Sequence, residues 1–121
     1  MKFTVLMYSD PEQTKAMSAS EFEQVMSKHD ALRAELTKSG ELAGGAGLAY
    51  PEETRTLRWR DDNVLTAIGP LFEADEHVTA YYEIECADLD RALEIAKRVL
   101  DFHVTAAEVR RVHDTADRVA N

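Results

Sequence analysis

The sequence has 121 residues, with 23 acids against 14 bases, a formal net charge of −9 and a 45% hydrophobic share. That length holds one core rather than two, and the hydrophobic share is far from that of chains too polar to fold. An acidic chain whose close basic group is only Arg55, Arg58 and Arg60 repels phosphate backbones and anionic membrane surfaces, so neither nucleic acid nor membrane is expected as a partner.

Residues 3–8 form a β-rich apolar run stopped by Ser9-Asp10-Pro11, which predicts an opening strand. Phe3, Val5 and Met7 point one way and Thr4, Leu6 and Tyr8 the other, so the strand is covered on both sides. A polar loop is expected next. Ser18 with Glu21 three residues later makes a capping box, and Phe22, Val25, His29, Leu32 and Leu36 then recur at helical spacing up to Gly40. Residues 42–50 are Gly-rich and close at Pro51, reading as a short strand with close backbone contacts. Residues 54–60 and 64–68 flank Asp61-Asp62-Asn63 and predict a β-hairpin. After a loop over residues 69–77, residues 78–86 alternate, with Val78, Ala80, Tyr82, Ile84 and Cys86 on one face and Thr79, Tyr81, Glu83 and Glu85 on the other. Asp88 caps a second helix whose stripe is Leu89, Ala92, Leu93, Ala96, Val99 and Leu100, and residues 107–112 make a last strand.

The fold class is therefore α+β: a ferredoxin-like β-α-β-(β-β)-β-α-β order with two helices on one face of an antiparallel sheet. The other face carries Leu6, Tyr8 and Tyr81, too apolar for water, so the sheet is expected to pack on that of a second copy in a homodimer. A single domain over residues 1–114 and a polar tail over residues 115–121 are expected. The start lacks the length and cleavage site of a signal peptide, no apolar run suits a membrane span, and Cys86 is the sole cysteine, so a cytoplasmic protein is expected.

On the residues Phe3-Thr4-Val5-Leu6-Met7-Tyr8, the stretch from His29 to Leu48 with Gly40 and Gly44-Gly45, the segment Ile68-Gly69-Pro70-Leu71-Phe72-Glu73-Ala74-Asp75-Glu76, Tyr81-Tyr82 and Glu108-Val109-Arg110, the chain resembles the YCII-related family and its DGPF-motif branch. The signature loop is degenerate, with Ile68 where the branch has Asp, Leu71 where it has Phe, and Asp75 where it has Lys. The resemblance implies a dimeric α/β barrel. It also implies a His/Asp pair in a cleft, carried here by His29 in the first helix and Asp101 just after the second; the Pro that commonly follows that Asp is Phe102 here.

An imidazole on an apolar stripe beside a carboxylate can act as a general base, with His29 as the base and Asp101 as its orienter. The competing reading of His29 is a core histidine, and of Asp101 a helix-end acid. Tyr8, Glu73, Tyr81 and Glu83 are candidates for contacting substrate, Tyr81 and Glu83 from the partner-facing side of the sheet and Glu73 from the signature loop. They compete with interface residues and a solvated acidic loop. The Gly44-Gly45-Ala46-Gly47 run lacks nucleotide-loop spacing, the four histidines lack metal spacing, and Cys86 sits on a core face, so no cofactor and no metal are expected.

Two functions follow from these residues. The first is an enzyme using His/Asp acid–base chemistry on a small organic molecule in a lyase, isomerase or hydrolase step. The second is a non-catalytic ligand-binding or protein-interaction module. All of the net charge resides between Asp61 and Asp90, a segment with nine acids and no base, while acids and bases balance at 14 each elsewhere. Laid on the expected elements it borders the pocket, which favours a neutral or cationic ligand.

Overall fold

The computed structural model describes residues 1–113, so the tail expected over residues 115–121 lies outside the described residues. Strand β1 (Lys2–Ser9) buries Phe3, Val5 and Met7 on one face. Asp10 then accepts from the Glu12 N–H at 3.0 Å and caps a short helix, α1 (Pro11–Lys15), with Pro11 in its first turn, where the missing N–H has no helical partner to lose. The expected polar loop is thus a helical turn, because Asp-Pro serves as a helix start as well as a turn.

Helix α2 (Ala19–Ser39) follows the capping box: Ser18 accepts from the Glu21 N–H at 3.1 Å, and its hydroxyl donates to the Glu21 carboxylate at 3.2 Å. Gly40, at φ 81°, ends the helix in the left-handed region that disfavours a Cβ. Strand β2 (Leu42–Gly47) is shorter than expected, since a 3₁₀ turn at Pro51–Glu53 follows. Strands β3 (Arg55–Arg60) and β4 (Asn63–Ile68) form a separate two-stranded ribbon. Asp61 and Asp62 both hold positive φ, and Asn63 pairs with Arg60, so two residues make the turn instead of three. Strand β5 (His77–Glu85), helix α3 (Leu89–Val99) capped by Asp88, and strand β6 (Ala106–Arg111) complete the described chain.

The main sheet is antiparallel with strand order β2-β5-β1-β6, which makes the fold α+β in an order compatible with the ferredoxin-like fold. One core joins Phe3, Val5, Tyr82 and Ile84 from the sheet to Leu32 and Leu36 of α2 and Ile95 and Val99 of α3. The stripe of α3 departs from expectation. Ile95 takes a central place while Leu89, Leu93 and Leu100 stay largely exposed, because the buried line runs through residues 92, 95, 96 and 99. Among the described residues no helix is long and apolar enough to cross a membrane.

A two-pronged ion pair ties α3 to the turn before β2. Arg91 donates from Nε and Nη2 to the two oxygens of Glu41, each at 2.8 Å, and holds the Glu41 carboxyl down at about 2. Because the unfolded chain protonates that carboxyl more readily, its contribution is complete above pH 4.5 and lost as pH falls toward 2. Allowing for solvent screening, Glu41→Gln should cost about 1–2 kcal/mol at neutral pH. In urea unfolding the gap between wild type and variant should close on acidification across that window.

Candidate functional site

The apolar stripe of α2 outruns the core beneath it. Leu32 and Leu36 are fully buried, whereas Val25 and His29 are half-buried and Phe22 is 50% exposed. Under this N-terminal half lies a cavity of about 250 Å³, roofed by Phe22, Val25, Met26 and His29 and floored by Met7 and Ala80. A second cavity of about 180 Å³ lies between α2 and the glycine strand β2, with His29, Arg33, Tyr82, Leu42 and Gly47 in its wall. His29 and Ala80 line both.

At this junction the His29 ring stacks on Tyr82 of β5, with centroids 5.5 Å apart and planes 13° from parallel. The Phe102 ring, from the turn after α3, leans against it at 5.3 Å. Tyr82 is 3% exposed, and among the described residues neither its hydroxyl nor His29 Nε2 has a hydrogen-bond partner although both atoms are buried. Burial pushes the imidazole below its usual range, helped by the nearby Arg33 charge and opposed by Asp30. Burial likewise pushes the Tyr82 phenol up to about 12, against the pull of Arg33. At neutral pH the pair is therefore an unprotonated imidazole beside a protonated phenol, a proton acceptor and a hydrogen-bond donor with no protein partners. Gly45 makes the packing feasible: at φ 151°, a Cβ there would stand 2.5 Å from the Tyr81 carbonyl and 3.1 Å from the Tyr82 ring.

The residues expected to form the site divide. His29 lies at the cavities. Asp101 is exposed, its N–H donating to the Arg98 carbonyl at 3.3 Å; no hydrogen bond joins it to His29, because the turn presents Phe102 to the imidazole. Tyr8, Tyr81 and Glu83 belong to the opposite face of the sheet, where Leu6 pairs with Tyr81 and Thr4 with Glu83. There the Tyr8 hydroxyl donates to Glu108 at 2.7 Å, which raises the phenol's pKa and lowers the carboxyl's. Glu73 is exposed in the loop before β5, while Glu76 of that loop accepts from the Thr105 hydroxyl.

Tyr82 and Arg33 are the side chains that sequence reasoning missed. Arg33 follows His29 at the i, i+4 spacing of one helix face, and a tyrosine on a core strand face leaves a hydroxyl that needs a partner. The acidic segment does not rim the site: none of its nine acids lines either cavity, since they occupy the ribbon turn, the loop, the open sheet face and the start of α3. Among the described residues no group of three or more His, Cys, Asp or Glu could hold a metal ion. Burial raises the Cys86 thiol's pKa, which leaves it an unreactive part of the core.

No family model matches the chain. The uncharacterized protein R00369 of Rhizobium meliloti (strain 1021) is similar to it, at 34% identity over 97 residues that span 80% of this chain and 78% of that protein.

Three outcomes are expected from this geometry. In an NMR titration His29 should protonate below pH 6.5, with Arg33→Gln moving the midpoint up and Asp30→Asn moving it down. Since folding favours the neutral ring, stability from this group should fall as pH drops through 6.5 toward the folded midpoint. Tyr82→Phe, which deletes a buried hydroxyl that has no partner, should leave unfolding free energy unchanged or raise it by up to about 1 kcal/mol.

Proposed function

The chain belongs to the same family as the Rhizobium meliloti protein R00369, and from the geometry of its cavities we propose that it is a small-molecule enzyme that uses His29 as general base. The observation that carries this reading is that His29, whose Nε2 is buried without a hydrogen-bond partner among the described residues, lines both cavities. A buried polar atom without a partner costs about 1–3 kcal/mol, which is recovered when a ligand supplies the missing bond. A neutral imidazole can take a proton from a carbon acid while the Tyr82 hydroxyl donates a hydrogen bond to the oxygen where charge develops. Returning that proton to another carbon is an isomerase step; expelling a leaving group from the neighbouring carbon is a lyase step. Asp101 has no bond to the ring, so His29 serves as base without it in this scheme.

We also assign the chain to the YCII-related family in its DGPF branch, with a ferredoxin-like fold that dimerises into an α/β barrel. The sheet order supports the fold, and half-buried Leu6, Tyr8 and Tyr81 on the sheet face away from the helices support a second copy there. The ribbon adds to this, because Trp59 is 75% and Ile68 78% exposed on the same ribbon face, an apolar surface that a second copy would cover. A buried free thiol at Cys86 fits a reducing cytoplasm. The same ribbon favours the second reading, an interaction module, to the extent that a partner other than this chain covers it.

Screening purified protein for small molecules that shift the His29 imidazole signals tests the enzyme reading. Saturable shifts are expected, abolished by Gly47→Val, since Gly47 lines the smaller cavity and a Cβ there has no atom within 4 Å to displace. If no compound perturbs His29 while a pull-down through the ribbon captures a different protein, the interaction module is the correct reading. Sedimentation equilibrium should give twice the chain mass, and Trp59→Asp with Ile68→Asp should shift it toward the monomer.

A further inference from the structure

The smaller cavity has a polar feature that proton transfer does not use. The Arg33 guanidinium stands in its wall and is exposed. Unlike Arg91, Arg98 and Arg110, each seated on a glutamate, it has no hydrogen bond or ion pair among the described residues. Among the described residues no acid lines this cavity. Its remaining wall is the backbone of Gly44, Gly45 and Gly47 with Leu42, Ala46 and Ala80, a largely apolar surface ending at His29 and Tyr82. The site thus offers a fork of N–H donors at one end, an apolar slot, and two unpartnered buried polar atoms at the other.

We propose that the ligand is a small carboxylate whose carboxyl group pairs with Arg33 and whose apolar body lies along the β2 glycines toward His29 and Tyr82. This deepens the enzyme reading above and rests on it for the role of His29. It departs from the neutral or cationic ligand expected from net charge, because the nine acids of residues 61–90 all lie outside the cavity walls. A carboxylate matches the guanidinium fork with two parallel bonds and is small enough for a slot of about 180 Å³. Asp30 acts on His29 from the same helix, and the Glu83 carboxylate lies behind Gly44, 3.0 Å from where a Cβ there would stand.

The test uses the whole chain and three probes of one shape: benzoate, benzamide and benzylamine, with inorganic phosphate as the bare anion. Binding is followed through the His29 and Tyr82 ring signals. Benzoate should bind at least about tenfold more tightly than the other probes and should raise the pH at which His29 protonates. Arg33→Gln should erase that preference, and Arg33→Lys should keep part of it, since an ammonium retains the charge without the fork. Equal binding of benzoate, benzamide and benzylamine, or binding unchanged in Arg33→Gln, overturns the carboxylate while leaving His29 as a ligand-facing group. Phosphate binding as tightly as benzoate overturns it also, in favour of a bare anion site. No shift of His29 or Tyr82 with any probe overturns the ligand class and counts against the enzyme reading.

Discussion

The flat stacking of the His29 ring on Tyr82 marks where helix α2 parts from the core, and the arrangement of the molecule follows from that boundary. A helix of 21 residues is about 30 Å long, about twice the length of the 11-residue α3 packed beside the same sheet. On the Gly40 side of the boundary, Leu32 and Leu36 meet close-packed neighbours. On the Ser18 side the helix spans empty volume. An imidazole placed there is dry enough for burial to govern its protonation and open enough to be reached through the cavities.

Strand alternation assigns the two sheet faces different work. Residues pointing toward the helices build the core and, at its margin, the imidazole–phenol pair. Residues pointing away form a half-buried apolar and charged surface, on which Tyr8 and Glu108 bridge β1 and β6. Side chains adjacent in sequence, such as Tyr81 and Tyr82, therefore serve separate surfaces, and no ligand in the helix-side cavities touches both.

Features set by local chemistry were legible in the chain. The Ser18–Glu21 box, Gly40, the Asp88 cap and the alternation through β5 each depend on neighbours a few residues away, and each lies where its pattern points. His29 was legible as a helix residue on the apolar stripe. What surrounds it was not, because the cavity is lined by residues of β1, α1, α2, β5 and the turn after α3, whose meeting in space periodicity does not encode. The Asp101 position illustrates the same limit: its distance along the chain from His29 says nothing about which of Asp101 and Phe102 the turn directs inward. The charge of the acidic segment was countable, but the faces receiving it depend on where the ribbon and loop project.

The pairing irregularity of β2 reaches beyond the site. Between Leu42 and Gly44 the register with β5 slips, and Gly45 then sits at φ 151°, so this outer strand of the sheet is kinked instead of evenly extended. An evenly extended outer strand is a template for another strand to add to, and repetition of that contact leads to open-ended fibres. The kink denies such a template along β2. The glycine that admits the Tyr82 ring thus also guards against runaway polymerisation, and a substitution there would threaten solubility as well as the cavity.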